Sequence, residues 1–217
     1  MGLMIALWLF LTLSPPAAQK VDFRNFTYPI PRGKLFVPGD LKWMTNEPAI
    51  NVTLVDGSYN FEKKGPGPGP SLAIDEVLYG YGPVTMGPQL DAVVVLDYET
   101  GGSAHWSYVY AFGLASPSPR LLGWLRTGAG GDSGLYRLFV NNAGFIIDVL
   151  DPNKRMGDCC SAGFIRTSYE WKDGKFSQAG PRRNGRVAED PRPPKSVDSA
   201  ESPNRLPVFL RGVPAAS

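Results

Sequence analysis

Reactive side chains are scarce in this chain of 217 residues, which has two cysteines and a single histidine. Any Ser-His-Asp or Cys-His arrangement must therefore run through His105. Ser103, Ser107 and Cys159 are candidate nucleophiles, but no Gly-x-Ser-x-Gly elbow is present to expose one. His105 follows a Gly-Gly turn at the start of a strand, the usual place for a solvated or capping histidine. Phosphate loops, zinc-ligand spacings and dinucleotide fingerprints are missing too. The glycine-rich Thr127–Gly134 lacks the Lys-Ser/Thr ending of a phosphate loop and reads as a loop between strands. No cofactor and no metal are expected. Net charge is small, +2 overall, and residues 180–217 hold seven basic residues against four acids, so the rest is near neutral. Phosphate neutralisation dominates affinity for nucleic acid, and such a partner is not expected. No apolar run reaches the roughly 20 residues that a membrane-spanning helix needs.

The longest apolar run, residues 3–13, ends at Ser14-Pro15-Pro16-Ala17-Ala18 and suits the core of a secretory signal peptide. It predicts a signal at residues 1–18 and an exported protein, periplasmic or secreted, with no integral span once the signal is removed. At the other end, residues 180–217 are rich in proline and arginine and poor in apolar side chains. They bury too little to offset their ordering entropy, which predicts a disordered tail.

Between the ends, residues 19–179 form one domain of strands. Val52–Val55, Asp56-Gly57 and Ser58–Phe61 read as a hairpin, because Asp-Gly favours the tight turn that matches strand twist. Ser71–Tyr81 is expected to pair with Asp91–Tyr98, whose Ala-Val-Val-Val-Leu is a buried run. From Trp106 to Leu114, aromatics recur at 106, 108, 110 and 112, a period of two that puts them on one face. Leu121–Leu125, Leu135–Val140, Phe145–Leu150 and Phe164–Trp171 follow as strands, and Lys172-Asp173-Gly174-Lys175 turns the chain into Phe176. Helical patterning is confined to a turn around Pro88–Ala92. Short glycine-rich connections favour antiparallel neighbours. The expected fold is mainly β, a single antiparallel β-meander, curled or barrel-like, with α+β as the alternative.

The two cysteines are adjacent, Cys159 and Cys160. Neighbouring α-carbons lie ~3.8 Å apart, below the about 4.4–6.8 Å of ordinary disulfides. Three readings stand open: a vicinal disulfide shaping a tight turn, two reduced thiols, or redox and metal work. Asp158 next door raises a thiol's pKa and disfavours a reactive thiolate.

Several motifs occur in order: Leu78-Tyr79-Gly80, Asp91–Val95, Thr100–Ala104, Tyr108-Val109-Tyr110, Gly144–Asp148, Asp158-Cys159-Cys160, Arg166-Thr167-Ser168-Tyr169-Glu170-Trp171 and Asp173–Phe176, with Val21–Pro29 ahead of them. Over roughly residues 21–178 the chain resembles a group of secreted bacterial proteins of unknown function, distantly similar to the LppP/LprE-type lipoproteins of actinobacteria. Cys-Cys followed by Arg-Thr-x-Tyr-x-Trp is the most specific part. The resemblance implies an envelope or secreted protein and supplies no activity. An acidic, glycine-containing loop of calcium type, frequent in the group, is replaced here by Gly80–Asp91, whose oxygen ligands are too few.

Three functions follow as expectations. The first is a non-enzymatic binding or structural role towards an envelope or extracellular partner, through an aromatic face at Trp106, Tyr108, Tyr110 and Trp171. The second is a cell-wall polymer hydrolase using two carboxylates from Asp75, Glu76, Asp91, Asp97, Glu99, Asp148, Asp151 and Asp158. Alternation is expected to turn Asp148 outward. The third is a redox protein cycling Cys159 and Cys160.

Overall fold

The computed structural model describes residues 21–31, 48–62, 67–80, 91–102, 104–114, 116, 118–130, 132–141, 144–157 and 160–187, excepting the side chains of 76–80 and 141. The expected signal segment, residues 88–90 of the expected Pro88–Ala92 turn, Cys159 and residues 188–217 lie outside them, and Asp91 and Ala92 belong to a strand. Twelve strands are described: β1 Thr27–Pro31, β2 Ala49–Thr53, β3 Ser58–Asn60, β4 Ser71–Gly80, β5 Asp91–Glu99, β6 His105–Gly113, β7 Arg120–Ala129, β8 Leu135–Asn141, β9 Gly144–Leu150, β10 Gly163–Lys172, β11 Lys175–Gln178 and β12 Arg183–Arg186. Two single 3-10 turns, Phe23–Asn25 and Pro152–Lys154, are the only helical elements among the described residues.

Every pairing is antiparallel, and the mainly β expectation holds. The strands do not close into a barrel. They divide into a central sheet ordered β3-β4-β5-β6-β7, a second ordered β11-β10-β9-β8 with β12 beside β10, and the two-stranded β1-β2. The reason lies in β5. Ala92, Val94 and Leu96 point to one side and Val93 and Val95 to the other, and all five are fully buried. A strand apolar on both faces needs a cover on each. On one side Val93, Val95, Val109, Ala111 and Leu125 pack against Leu138, Phe145, Ile147, Val149 and Tyr169 of the second sheet. On the other, Tyr108, Tyr110, Phe112 and Trp124 pack against Phe23, Tyr28, Ile30, Val52 and Leu54 of the N-terminal layer. Each fully buried large side chain contributes about 1.5–3 kcal/mol.

The two Asp-Gly turns form as expected. Asp56 and Gly57 have φ of 51° and 86°, and Asp173 and Gly174 have 52° and 77°, the paired positive angles of a type I′ hairpin. After Asp56-Gly57, however, a single Val55–Ser58 bridge joins the arms before they part into different sheets.

Two boundaries differ from expectation. Thr127–Ala129 extends β7 instead of starting a loop, because buried Thr127 accepts from the Ser107 amide at 3.0 Å and so continues the sheet. Arg183–Arg186, expected in the tail, is β12. It pairs with Gly163–Arg166, the half of β10 that β11 leaves open. That ladder is made of backbone groups and needs no apolar side chains.

Candidate functional site

At the end of the central sheet marked by Tyr98 and Trp106, alternation sends aromatic side chains to one face and polar ones to the other. Register sets Tyr59 opposite Leu72, Leu72 opposite Tyr98 and Tyr98 opposite Trp106, a row across four strands. Phe61 follows β3 and closes the row. Tyr59 and Phe61 meet edge-to-face at 4.9 Å, Phe61 and Tyr98 at 5.7 Å, and Tyr98 stacks on Trp106 at 4.6 Å. The Arg126 guanidinium lies 3.9 Å over the Trp106 ring, and burial lowers its pKa. Phe61, Tyr98 and Trp106 sit at the margin of the second core, half-buried, while Tyr59 is 37% exposed. Cross-strand packing of this kind holds the rings in place before any partner arrives.

The opposite face of the same end carries acids. Asp97 is directly across from Ser107, whose hydroxyl donates to its carboxylate at 2.7 Å. Burial pushes the Asp97 carboxyl above its ordinary value, against the lowering effects of that hydrogen bond and of His105, while Glu99 raises it further. Asp75, beside the irregularity in the β4–β5 register, is raised by shielding of its carboxyl and then by the Asp97 charge. Glu99 and His105 are register partners and both exposed. Among the described side chains, Asp97 is thus the acid that interacts with others, with Glu99 and Asp75. No cluster of three or more potential metal ligands occurs among the described residues.

The other acids go elsewhere. Asp148, expected outward, is fully buried and bound at both oxygens by Arg166, with Nε to Oδ1 and Nη2 to Oδ2 each 2.7 Å. It does point away from the sandwiched core, but Arg166 on β10 is its register partner and covers it. Asp151 caps the Pro152–Lys154 turn by accepting from the Asn153 amide at 2.9 Å. Asp91 is buried; the remainder of the calcium-type stretch and Asp158 lie outside the described residues.

Of the four aromatics expected to form one binding face, Tyr108 and Tyr110 are 3% and 0% exposed. Burial raises both hydroxyl pKa values, that of Tyr110 strongly. Trp171 packs against the other core, beside Phe176. Only Trp106 reaches the rim, so these four residues share no surface. The rim residues absent from the sequence reading are Tyr59, Phe61, Tyr98 and Arg126. Tyr98 was legible, since a hairpin centred on Gly102 sets it opposite Trp106. Cys160 is disulfide-bonded and exposed, which removes the free-thiol reading for that residue.

No family model, no curated protein and no solved structure matches this chain.

Proposed function

We propose that the chain is an exported envelope or secreted domain whose role is non-enzymatic binding, carried by the rim Tyr59, Phe61, Tyr98, Trp106 and Arg126. The observation behind this reading is that a partly exposed aromatic row, already stacked, continues the core of the central sheet to the end marked by Tyr98 and Trp106. Tyr, Trp and Arg are the residue types that dominate binding energy at interfaces. Rings fixed in advance lose little side-chain freedom on association. The secretory pattern of residues 1–18 and the resemblance to secreted bacterial proteins support the location. Sedimentation with lipid-free wall polymer and with washed envelope protein tests the role. Tyr59→Ala, at the most exposed ring, is expected to weaken retention at least tenfold, while Asp97→Asn keeps it. Retention unchanged by Tyr59→Ala and by Tyr98→Ala contradicts the reading.

A second reading, a wall-polymer hydrolase, is favoured by one observation: the Asp97 charge reaches Asp75, and burial shifts both carboxyls towards the protonated form. A carboxyl held towards its protonated form beside a second acid is what a general acid requires. Release of reducing ends by the wild type, abolished in Asp97→Asn, would establish it. For the cysteine pair, backbone bonds such as Met156 N–H to the Cys160 carbonyl at 2.9 Å support a structural Cys159–Cys160 bond over a cycling one.

A further inference from the structure

The outward face of the second sheet carries a row of charges. Register sets Arg137 of β8 opposite Asp148 of β9, Asp148 opposite Arg166 of β10, and Arg166 opposite Arg183 of β12. Their contacts place all four on one surface. Asp148 points away from the sandwiched core and is gripped there by Arg166. The Arg137 and Arg166 guanidinium groups lie 5.8 Å and 5.2 Å from one and the same ring, that of Phe164. That ring covers Gly185, where a side chain would collide with it. Arg183, two residues earlier on the same strand, therefore faces the same way. The row thus holds three cations and one anion, and the Asp148 carboxylate is already held by the planar fork of Arg166. Arg137 lies over the Tyr136 ring at 4.4 Å, its Nη2 donating to the neutral Tyr136 hydroxyl at 2.6 Å. Arg183 is exposed, and its register partner is another arginine. Like charges directly opposite one another destabilise a sheet. Glu170, the other described acid on this face, is four residues along β10 from Arg166, about 13 Å away.

The surroundings narrow the partner. Guanidinium groups lie over Tyr136, Phe139 and Phe164, so the face offers charge and not the free rings on which nucleic-acid bases stack. The exposed large hydrophobics among the described residues, Val55, Tyr59 and Met156, are on other segments, so the face has no strongly exposed apolar group to enter a lipid layer. A planar carboxylate is filled by a single fork, as Asp148 is, whereas a tetrahedral phosphate directs its oxygens apart and accepts forks from neighbouring strands. From Arg137 to Arg183 is three strand spacings, about 14 Å, a span that suits a repeating anion. We propose that the row of Arg137, Arg166 and Arg183 binds an extended phosphate polyanion, at a face separate from the aromatic rim.

Isothermal titration of the full chain with linear inorganic polyphosphate tests this, with poly-L-glutamate of matched charge as the carboxylate arm. Binding of polyphosphate is expected at low salt and should be eroded by added salt. A charge-assisted contact of this kind is worth about tenfold in affinity, so Arg183→Gln and Arg137→Gln should each weaken binding by about that factor. Arg120→Gln, on β7 of the other sheet, should leave it unchanged. Because Arg183 is exposed and opposes a like charge, Arg183→Gln should melt no lower than the wild type without polyphosphate, which separates lost binding from lost fold. No binding, binding insensitive to both substitutions, or equal binding of polyglutamate overturns the proposal. So does a lowered melting point in Arg183→Gln that Glu189→Gln with Asp190→Asn reproduces, which would assign Arg183 to the chain's own acids.

Discussion

Asp97 sits under opposed influences: shielding from water favours its protonated form, and the Ser107 hydroxyl favours the ionised one, with burial the larger effect. Its folded-state pKa is therefore raised above the ordinary 3.8. The stability it contributes is present below the unfolded value and is lost as pH rises through the folded one. Asp97→Asn, whose amide oxygen can still accept from Ser107, is thus expected to gain on the wild type as pH climbs from roughly 4 to 7, read as the difference in urea midpoints. A difference that shrinks over that range would refute the shift. Asp148 is held by two 2.7 Å bonds from Arg166 inside the protein. Removing it takes both of those bonds from an Arg166 side chain that is only 16% exposed. Asp148→Ala should cost about 3–5 kcal/mol, whereas Asp148→Leu with Arg166→Met should recover most of that. Chemical denaturation of the two variants makes the comparison, and a double variant no better than the single one would show that the pair itself stabilises.

At the scale of elements, the two Asp-Gly turns share dihedrals but not surroundings. A methyl group on Gly174 meets nothing within 4 Å, while one on Gly57 would come 2.8 Å from Ile74 Cγ2. Gly174→Ala should cost about 1–2 kcal/mol for the left-handed backbone alone. Gly57→Ala adds an overpacking term of about 1–3 kcal/mol, and thermal midpoints should rank the two in that order. These turns were legible because Asp-Gly acts through its own backbone. The β5 run was legible because five apolar residues in succession admit few other readings. Three elements were harder to read, for distinct reasons. β1 contains Pro29 and Pro31, which read against a strand, and it survives only as half of a two-stranded layer. β12 is held by backbone bonds to β10 and has no apolar pattern to announce it. Asp148 looked solvent-facing because alternation does turn it from the core; its cover comes from Arg166, 18 residues on, which no local pattern reveals. The rim escaped for a similar reason. Trp106 was visible, but joining it to Tyr59 and Arg126 requires the order of strands.

Across the whole molecule, the central sheet is shared by two cores, and the N-terminal layer is as much a part of the fold as the second sheet. Truncation up to Pro31 should therefore expose Tyr110, Phe112 and Trp124, seen as a rise in binding of an apolar dye and loss of a single cooperative transition. Dye binding no higher than wild type would argue against a shared sheet. The disulfide at Cys160 also makes a whole-chain prediction. Since Cys159 is the only other cysteine, unreduced monomer should take up no alkyl groups and reduced monomer two. Uptake of two without reduction would exclude the bond.

The most direct test of the proposed role is a side-chain footprint of the protein, alone and with envelope material, using hydroxyl radicals and mass spectrometry. The account predicts protection of Tyr59, Phe61, Tyr98 and Trp106, with Asp75, Asp97 and Glu99 on the opposite face left as reactive as before. Protection confined to the acidic face, with the aromatic row unchanged, would contradict binding through the rim and return the weight to the paired carboxylates.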